Sequence, residues 1–387
     1  METSRRLPGF ARVVVIGGGV TGISTAYHLA AAGVTDVVLV ERGALGSGST
    51  GRAAGGVRTQ FSDRANIEMA VRSLNTYRQF GERFGQDIDL RQTGYLFLLD
   101  SAATVSAFER NVALQNELGL PSRMISVAEA KRLTPLIDTD GLVAAAYSPT
   151  DGYCTPESVV LGFAGAARRH GARLLTHCAA TGIDINADRI VGVRTEGGRI
   201  ETDTVICAAG AWSRQIGEWT STELAVTPLR RQLLVTEPMA DLPPDLPFTI
   251  DFGTSFYLRN EGAGLLLGAS DLGETPGYHL GPTEDWLSQI SHAVQHRAPR
   301  LAESGVAHHW AGLYEMTPDH NALIGEADGP SRFLYAGGFS GHGFMMAPAV
   351  GEIMRDLFLG RPPFIDVSQF HARRFQHAAP HPELNIV

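Results

Sequence analysis

Three glycines between two apolar runs constrain this chain more than any other feature. Val13, Val14, Val15 and Ile16 form a continuous β-branched run, the pattern of a strand buried on both faces. Gly17, Gly19 and Gly22 follow as G-x-G-x-x-G. A helical stretch follows, with Ile23, Tyr27 and Ala30 on one stripe and Gly33 as its stop, and Val20 inside the fingerprint is expected at the cofactor. Val37 to Val40 reads as a second buried strand, and Glu41 closes it nineteen residues after Gly22. In that context the glycines are a dinucleotide fingerprint. Gly17 permits the tight turn, Gly19 lets backbone approach a pyrophosphate, and Gly22 lets the helix pack on the strand. The helix N-terminus stabilises the phosphate charge.

Glu41 is placed to accept from ribose hydroxyls, which disfavours NADP, although Arg42 stands beside it. FAD and NAD remain. The next segment, Gly43 to Arg58 (GALGSGSTGRAAGGVR), holds six glycines and sits at the carboxyl end of a strand, where a ligand is expected. Ser49, Thr50, Gly51, Ala54 and Gly55 lie within it. A flexible linker is the alternative, but backbone N–H groups of such a loop suit the edge of a flat, polar ring system, and a flavin cradle is the preferred reading.

Composition narrows the chemistry. The 387 residues suggest two or three domains and ample core. A net charge of −9 disfavours a general nucleic-acid binder. Lys131 is the single lysine, so 31 of the 32 basic residues are arginine, and mechanisms that need an active-site lysine are excluded. Cys154, Cys178 and Cys207 are scattered, implying neither a disulfide framework nor a metal site. No apolar run reaches the ~18–20 residues of a membrane span. A cytoplasmic protein is expected.

Three further segments complete the pattern. Thr202 to Ser213 (TDTVICAAGAWS) is a buried strand ending in a small-residue turn. Trp310 to Gly325 reads WAGLYEMTPDHNALIG, and Phe333 to Met354 reads FLYAGGFSGHGFMMAPAVGEIM. In the last, a short strand leads into an open glycine turn, and a helix is expected from Ala347 with Pro348 near its first position. From Arg12 to Leu359 the chain resembles the D-amino-acid-oxidase-like family of FAD-dependent oxidoreductases, within its sarcosine oxidase β-subunit, dye-linked proline dehydrogenase and glycine oxidase branch.

The resemblance implies an α/β fold: a Rossmann-type FAD-binding domain with an inserted α+β substrate domain built on an antiparallel sheet. The FAD-binding part is expected to be discontinuous, over 8–60, 151–214 and 310–370, with 61–150 and 215–309 forming the substrate domain. Leu233 to Thr236, and the pair Phe256 to Leu258 and Leu265 to Leu267, read as strands of that domain. The cofactor set extends to Ala180, Ala209 and Gly210, then to Gly338, Gly341, His342, Gly343, Phe344 and Met345, whose amides would face the flavin. Arg58 aligns with the arginine that holds the substrate carboxylate in monomeric sarcosine oxidases. Tyr257 and Tyr314 align with tyrosines facing the ring, and Arg259, two residues along the strand from Tyr257, is a second carboxylate candidate.

Departures from those relatives matter as much. Gly312 replaces the cysteine that bonds flavin covalently, so FAD is expected to be noncovalent. Met345 and Leu266 replace lysines, one of which assists dioxygen reduction, and Ser270 replaces a substrate-side histidine. The implied activity is oxidation of the C–N bond of an amino acid or N-alkyl amino acid by hydride transfer to flavin, giving an imine that hydrolyses. The acceptor would be dioxygen or a redox protein or quinone. The alternative is a β-type flavin subunit of a heteromeric dehydrogenase, a hetero-oligomer acting mainly in binding and electron transfer.

Overall fold

A computed structural model of the chain describes residues 7–377 and 382–386. Strand β1 (Val13–Ile16) and strand β2 (Val37–Val40) are parallel neighbours joined by helix α1 (Val20–Ala31). A helical crossover is what parallel pairing requires. They lie inside a six-stranded sheet whose order is 323–326, 333–337, 205–207, β1, β2, 173–175. Only the 323–326 edge strand runs antiparallel to its neighbour. Val13 and Val15 face one core, under the helices, while Val14 and Ile16 face another. That second core is closed by Ile183, Ile190 and Val193 of a three-stranded antiparallel meander, 180–200. Both faces are covered, which is why the strand has no polar alternation.

An eight-stranded sheet forms the second layer, in the order 306–316, 227–236, 264–269, 257–261, 248–251, 95–99, 144–148, 123–125. Its pairings are antiparallel except between 248–251 and 95–99. The 227–236 strand starts six residues before the expected Leu233, because it pairs with 306–316 along its whole length. Trp310 to Met316 therefore belongs to this sheet, although a division at 310 would place it with the first. Conversely, the Arg64–Arg78 helix buries Ile67, Met69, Leu74 and Tyr77 in the core of the first sheet.

The helix expected from Ala347 begins at Gly343 and runs to Phe358, with Pro348 inside it. Pro348 has no N–H for the carbonyl of Phe344, four residues back. The Tyr77 hydroxyl donates to that carbonyl instead, at 2.6 Å. A side-chain donor thus replaces the missing helical bond. No described helix is long and apolar enough to cross a membrane.

Candidate active site

The glycine turn at the start of α1 is built by sterics. Gly17 has φ +115°, and a Cβ there would fall 2.3 Å from the carbonyl of Ala208. α1 opens at Gly19 with no side-chain cap; the Val20 N–H donates to Thr50 Oγ1 at 3.1 Å. Glu41 accepts from the N–H of Gly18 and of Gly43, each at 2.7 Å. Its carboxylate therefore ties the first glycine turn to the second, with lone pairs left for a ribose hydroxyl. The 43–58 segment is an ordered, compact stretch rather than a linker: Ser49 Oγ donates to the carbonyl of Leu313 at 2.7 Å, pinning it under the eight-stranded sheet.

A cavity of about 380 Å³ lies between the two sheets. The three distant glycine-bearing stretches meet there. Of the expected residues, all but Gly22, Gly51, Gly338 and Arg259 line it. Gly22 serves packing, since a Cβ would sit 2.0 Å from the carbonyl of Gly17. Gly51 turns against Gly46, donating its N–H to that carbonyl at 2.8 Å. The Gly338 N–H donates to Glu315 Oε2 at 2.9 Å. The second carboxylate candidate, Arg259, is turned elsewhere. It donates to the carbonyl of Ala54 at 2.7 Å and pairs with Glu261 at 2.6 Å, so its charge is already matched.

Arg58 differs. It is buried on the cavity wall, over the Phe61 ring at 4.3 Å, and no described carboxylate lies within ion-pair distance of it. It donates to the carbonyls of Gln60 and Asn385, and to His342 Nε2 at 3.1 Å. A guanidinium has five N–H donors and no acceptor, so His342 accepts and carries its proton on Nδ1. Burial, then the Arg58 charge, hold His342 well below its usual pKa, hence neutral. The donor expected of His342 is thus directed away from Arg58, and the cation at this end of the cavity is Arg58. Tyr257 and Tyr314 face the same space. Burial raises both hydroxyls, which stay protonated and able to donate. The turn at Gly341, φ +98°, passes so close that a Cβ would meet the Tyr314 ring at 2.5 Å.

Among the lining residues that were not anticipated are Trp212, Tyr95, Arg231 and Glu315. Arg42 stacks on Trp212 with Cζ 3.6 Å from the ring centroid. Burial raises Glu315 from the usual carboxylate range to about 7. Glu315 stood inside a quoted segment, and an acid within an apolar strand was its available signal. Arg231 lay outside the strand as read from sequence.

The lining fits FAD. Two long helices, α1 and Gly343–Phe358, start at this cavity with Gly19 and His342 as caps, whose own side chains do not bond the first turn, while Thr50 takes the Val20 N–H of α1. Their free N–H groups suit a pyrophosphate and the electron-rich edge of a flavin.

Comparison with known proteins agrees. The DAO family, described as FAD dependent oxidoreductase, matches residues 12–357. Human mitochondrial sarcosine dehydrogenase is 30% identical over 97% of this chain but only 42% of its own length. Mouse mitochondrial dimethylglycine dehydrogenase is 30% identical over 94% of this chain and 44% of its own. The chain thus spans less than half the length of these relatives. Among solved structures, L-proline dehydrogenase from P. horikoshii superposes with a TM-score of 0.91 at 36% identity, covering 97% of this chain and all of that one. With its Rossmann-type sheet, its glycine cradle and this match over most of its length, the chain belongs to the DAO family of FAD-dependent oxidoreductases.

Proposed function

We propose that this chain oxidises the C–N bond of an amino acid or N-alkyl amino acid, with the substrate carboxylate on Arg58. One observation carries the reading: a buried guanidinium with no carboxylate partner among the described residues lies on the cavity that the dinucleotide fingerprint also lines. A buried charge needs a partner, and a carboxylate meets the guanidinium fork in a bidentate geometry. The names of similar proteins, a sarcosine, a dimethylglycine and an L-proline dehydrogenase, support the same substrate class.

FAD, when bound, supplies the two-electron acceptor. The six-stranded sheet and residues 43–58 would hold it, noncovalently, since Gly312 offers no thiol. The eight-stranded sheet would bear the substrate. Arg58 fixes one end of the substrate, and the neutral hydroxyls of Tyr257 and Tyr314 donate to it. Leu233, Phe248 and Ile250 keep the cavity wall apolar and limit water around the reacting amine. No side-chain nucleophile is required.

The test is anaerobic bleaching of the flavin absorbance by D-, L- and N-methyl amino acids, repeated with Arg58→Gln. Removing one partner of a buried charged pair costs about 2–5 kcal/mol. The variant should lose 30-fold or more in kcat/KM, mainly through KM, while retaining its flavin. Unchanged kinetics would remove Arg58 from this role. The mass of the active species in solution reports whether a partner subunit is needed.

A further inference from the structure

Of the other guanidiniums on the cavity wall, Arg42 stacks on Trp212 and Arg52 donates to the carbonyl of Ser47, whereas Arg231 has no carboxylate within ion-pair distance among the described residues and a buried Nε without a partner. We infer that the substrate is an amino dicarboxylate, with one carboxylate on Arg58 and the other on Arg231. The inference rests on the reading of Arg58 above and adds the substrate's second anchor.

Arg231 stands in the 227–236 strand, opposite Gly312. Leu233, two residues on and so on the same face, pairs with Gly268, which pairs with Tyr257. Arg231 and Tyr257 therefore share the face of the eight-stranded sheet that lines the cavity. The Arg231 Cζ is 5.3 Å from the Tyr314 ring centroid. Tyr314 in turn feels the charge of both Arg231 and Arg58, which puts the two cations within Coulombic reach of one hydroxyl.

The neighbouring arginine shows what a structural role looks like here. Arg230 points to the opposite face and pairs with Glu274 at 2.6 Å. Arg231 has no described carboxylate within ion-pair distance. Among the described residues its one hydrogen bond runs from Nη1 to the carbonyl of Arg230, at 3.1 Å, and its buried Nε has no partner. A buried charged donor left without a hydrogen-bond partner is unfavourable. The two acids on the cavity wall are committed elsewhere, Glu41 to Gly18 and Gly43, Glu315 to Gly338. A substrate with one carboxylate satisfies one guanidinium and leaves the other orphaned. A dicarboxylate satisfies both.

The experiment compares matched pairs on the FAD-loaded enzyme: N-methylglutamate and N-methylaspartate against N-methylnorvaline and N-methylalanine, in both enantiomers. The dicarboxylates should exceed their partners at least 30-fold in kcat/KM. Arg231→Gln should lower that ratio at least 10-fold, with partial rescue in Arg231→Lys. Arg58→Gln should weaken both members of each pair together. As a readout independent of turnover, the non-reactive diacids from malonate to pimelate should raise the melting temperature more than the matching monoacids, and this difference should vanish in Arg231→Gln. Equal ratios in wild type and Arg231→Gln, or no difference between diacids and monoacids in the melting shift, would overturn the dicarboxylate assignment. So would a loss of bound flavin in Arg231→Gln, which would place Arg231 against the cofactor. If diacids stabilise the enzyme yet no amine bleaches the flavin, the anion anchors stand and the proposed oxidation fails.

Discussion

Glu315 shows how one side chain can be placed by its strand and tuned by its burial. It follows Tyr314, so its side chain leaves the opposite face of the sheet and reaches the glycine turn at Gly338. Burial favours the neutral acid and raises its pKa from 4.5 to about 7, against the hydrogen bonds from Gly338 and Phe339 that favour the carboxylate. The folded state thus binds a proton more tightly than the unfolded chain. Stability from this group is complete below about pH 4.5 and is lost as pH rises through 7. At about 1.4 kcal/mol per pKa unit, the loss is about 3 kcal/mol. Urea denaturation of Glu315→Gln should lack this decline between pH 4.5 and 8. Asp151, raised to about 6 by burial, declines in the same direction but is common to both proteins and cancels in the difference. Equal pH slopes for the two would show that Glu315 does not titrate in this window. Arg58 was legible because it ends a glycine motif; Glu315 and Arg231 were not, because their importance comes from having or lacking partners on other strands.

The Gly343–Phe358 helix illustrates a boundary that local chemistry misplaces. Proline is favoured at the first helical position, so Pro348 suggests a start near Ala347. The helix begins four residues earlier because the Tyr77 hydroxyl, on the packed Arg64–Arg78 helix, fills the hydrogen bond that Pro348 leaves open. The extra turn carries Gly343, Phe344 and Met345 to the cavity. Tyr77→Phe should leave a buried carbonyl unpaired and cost about 1–3 kcal/mol. It should also weaken FAD binding, because it frees the turn whose N–H groups face the cofactor. Melting temperature and flavin content measure the two effects, and a loss of stability at full flavin affinity would show that the turn does not depend on Tyr77. The strand at 227–236 was truncated in the sequence reading for a comparable reason. Its first half, with Pro228, Arg230 and Arg231, has little strand character of its own and is held by pairing with 306–316.

At the scale of the whole molecule, the cavity separates two sheets with their own cores, and the segments that close it add few apolar side chains to either. β1 and α1 are buried among apolar side chains on both sides. Residues 43–58 and 337–345 supply only a few side chains to the core under the helices, Val57, Phe339, Phe344 and Met345 among them, and otherwise rest on glycine turns and backbone hydrogen bonds. The first arrangement was readable from periodicity alone. The second was readable only as glycine clusters, since what brings them together is the pairing of strands far apart in the chain, Val14 with Val205 and Val205 with Phe333. A ligand that binds only the folded state stabilises it in proportion to RT ln(1 + [L]/Kd), about 4 kcal/mol at a thousandfold excess over Kd. Removing FAD should therefore lower the melting temperature, and the loss should be uneven. Amide hydrogen exchange should rise first in 43–58 and 337–345, while β1 and α1 beyond its first turn retain protection. A uniform rise across both sheets would mean instead that the cofactor holds the cores together, and that the six-stranded sheet is not a preformed platform for it.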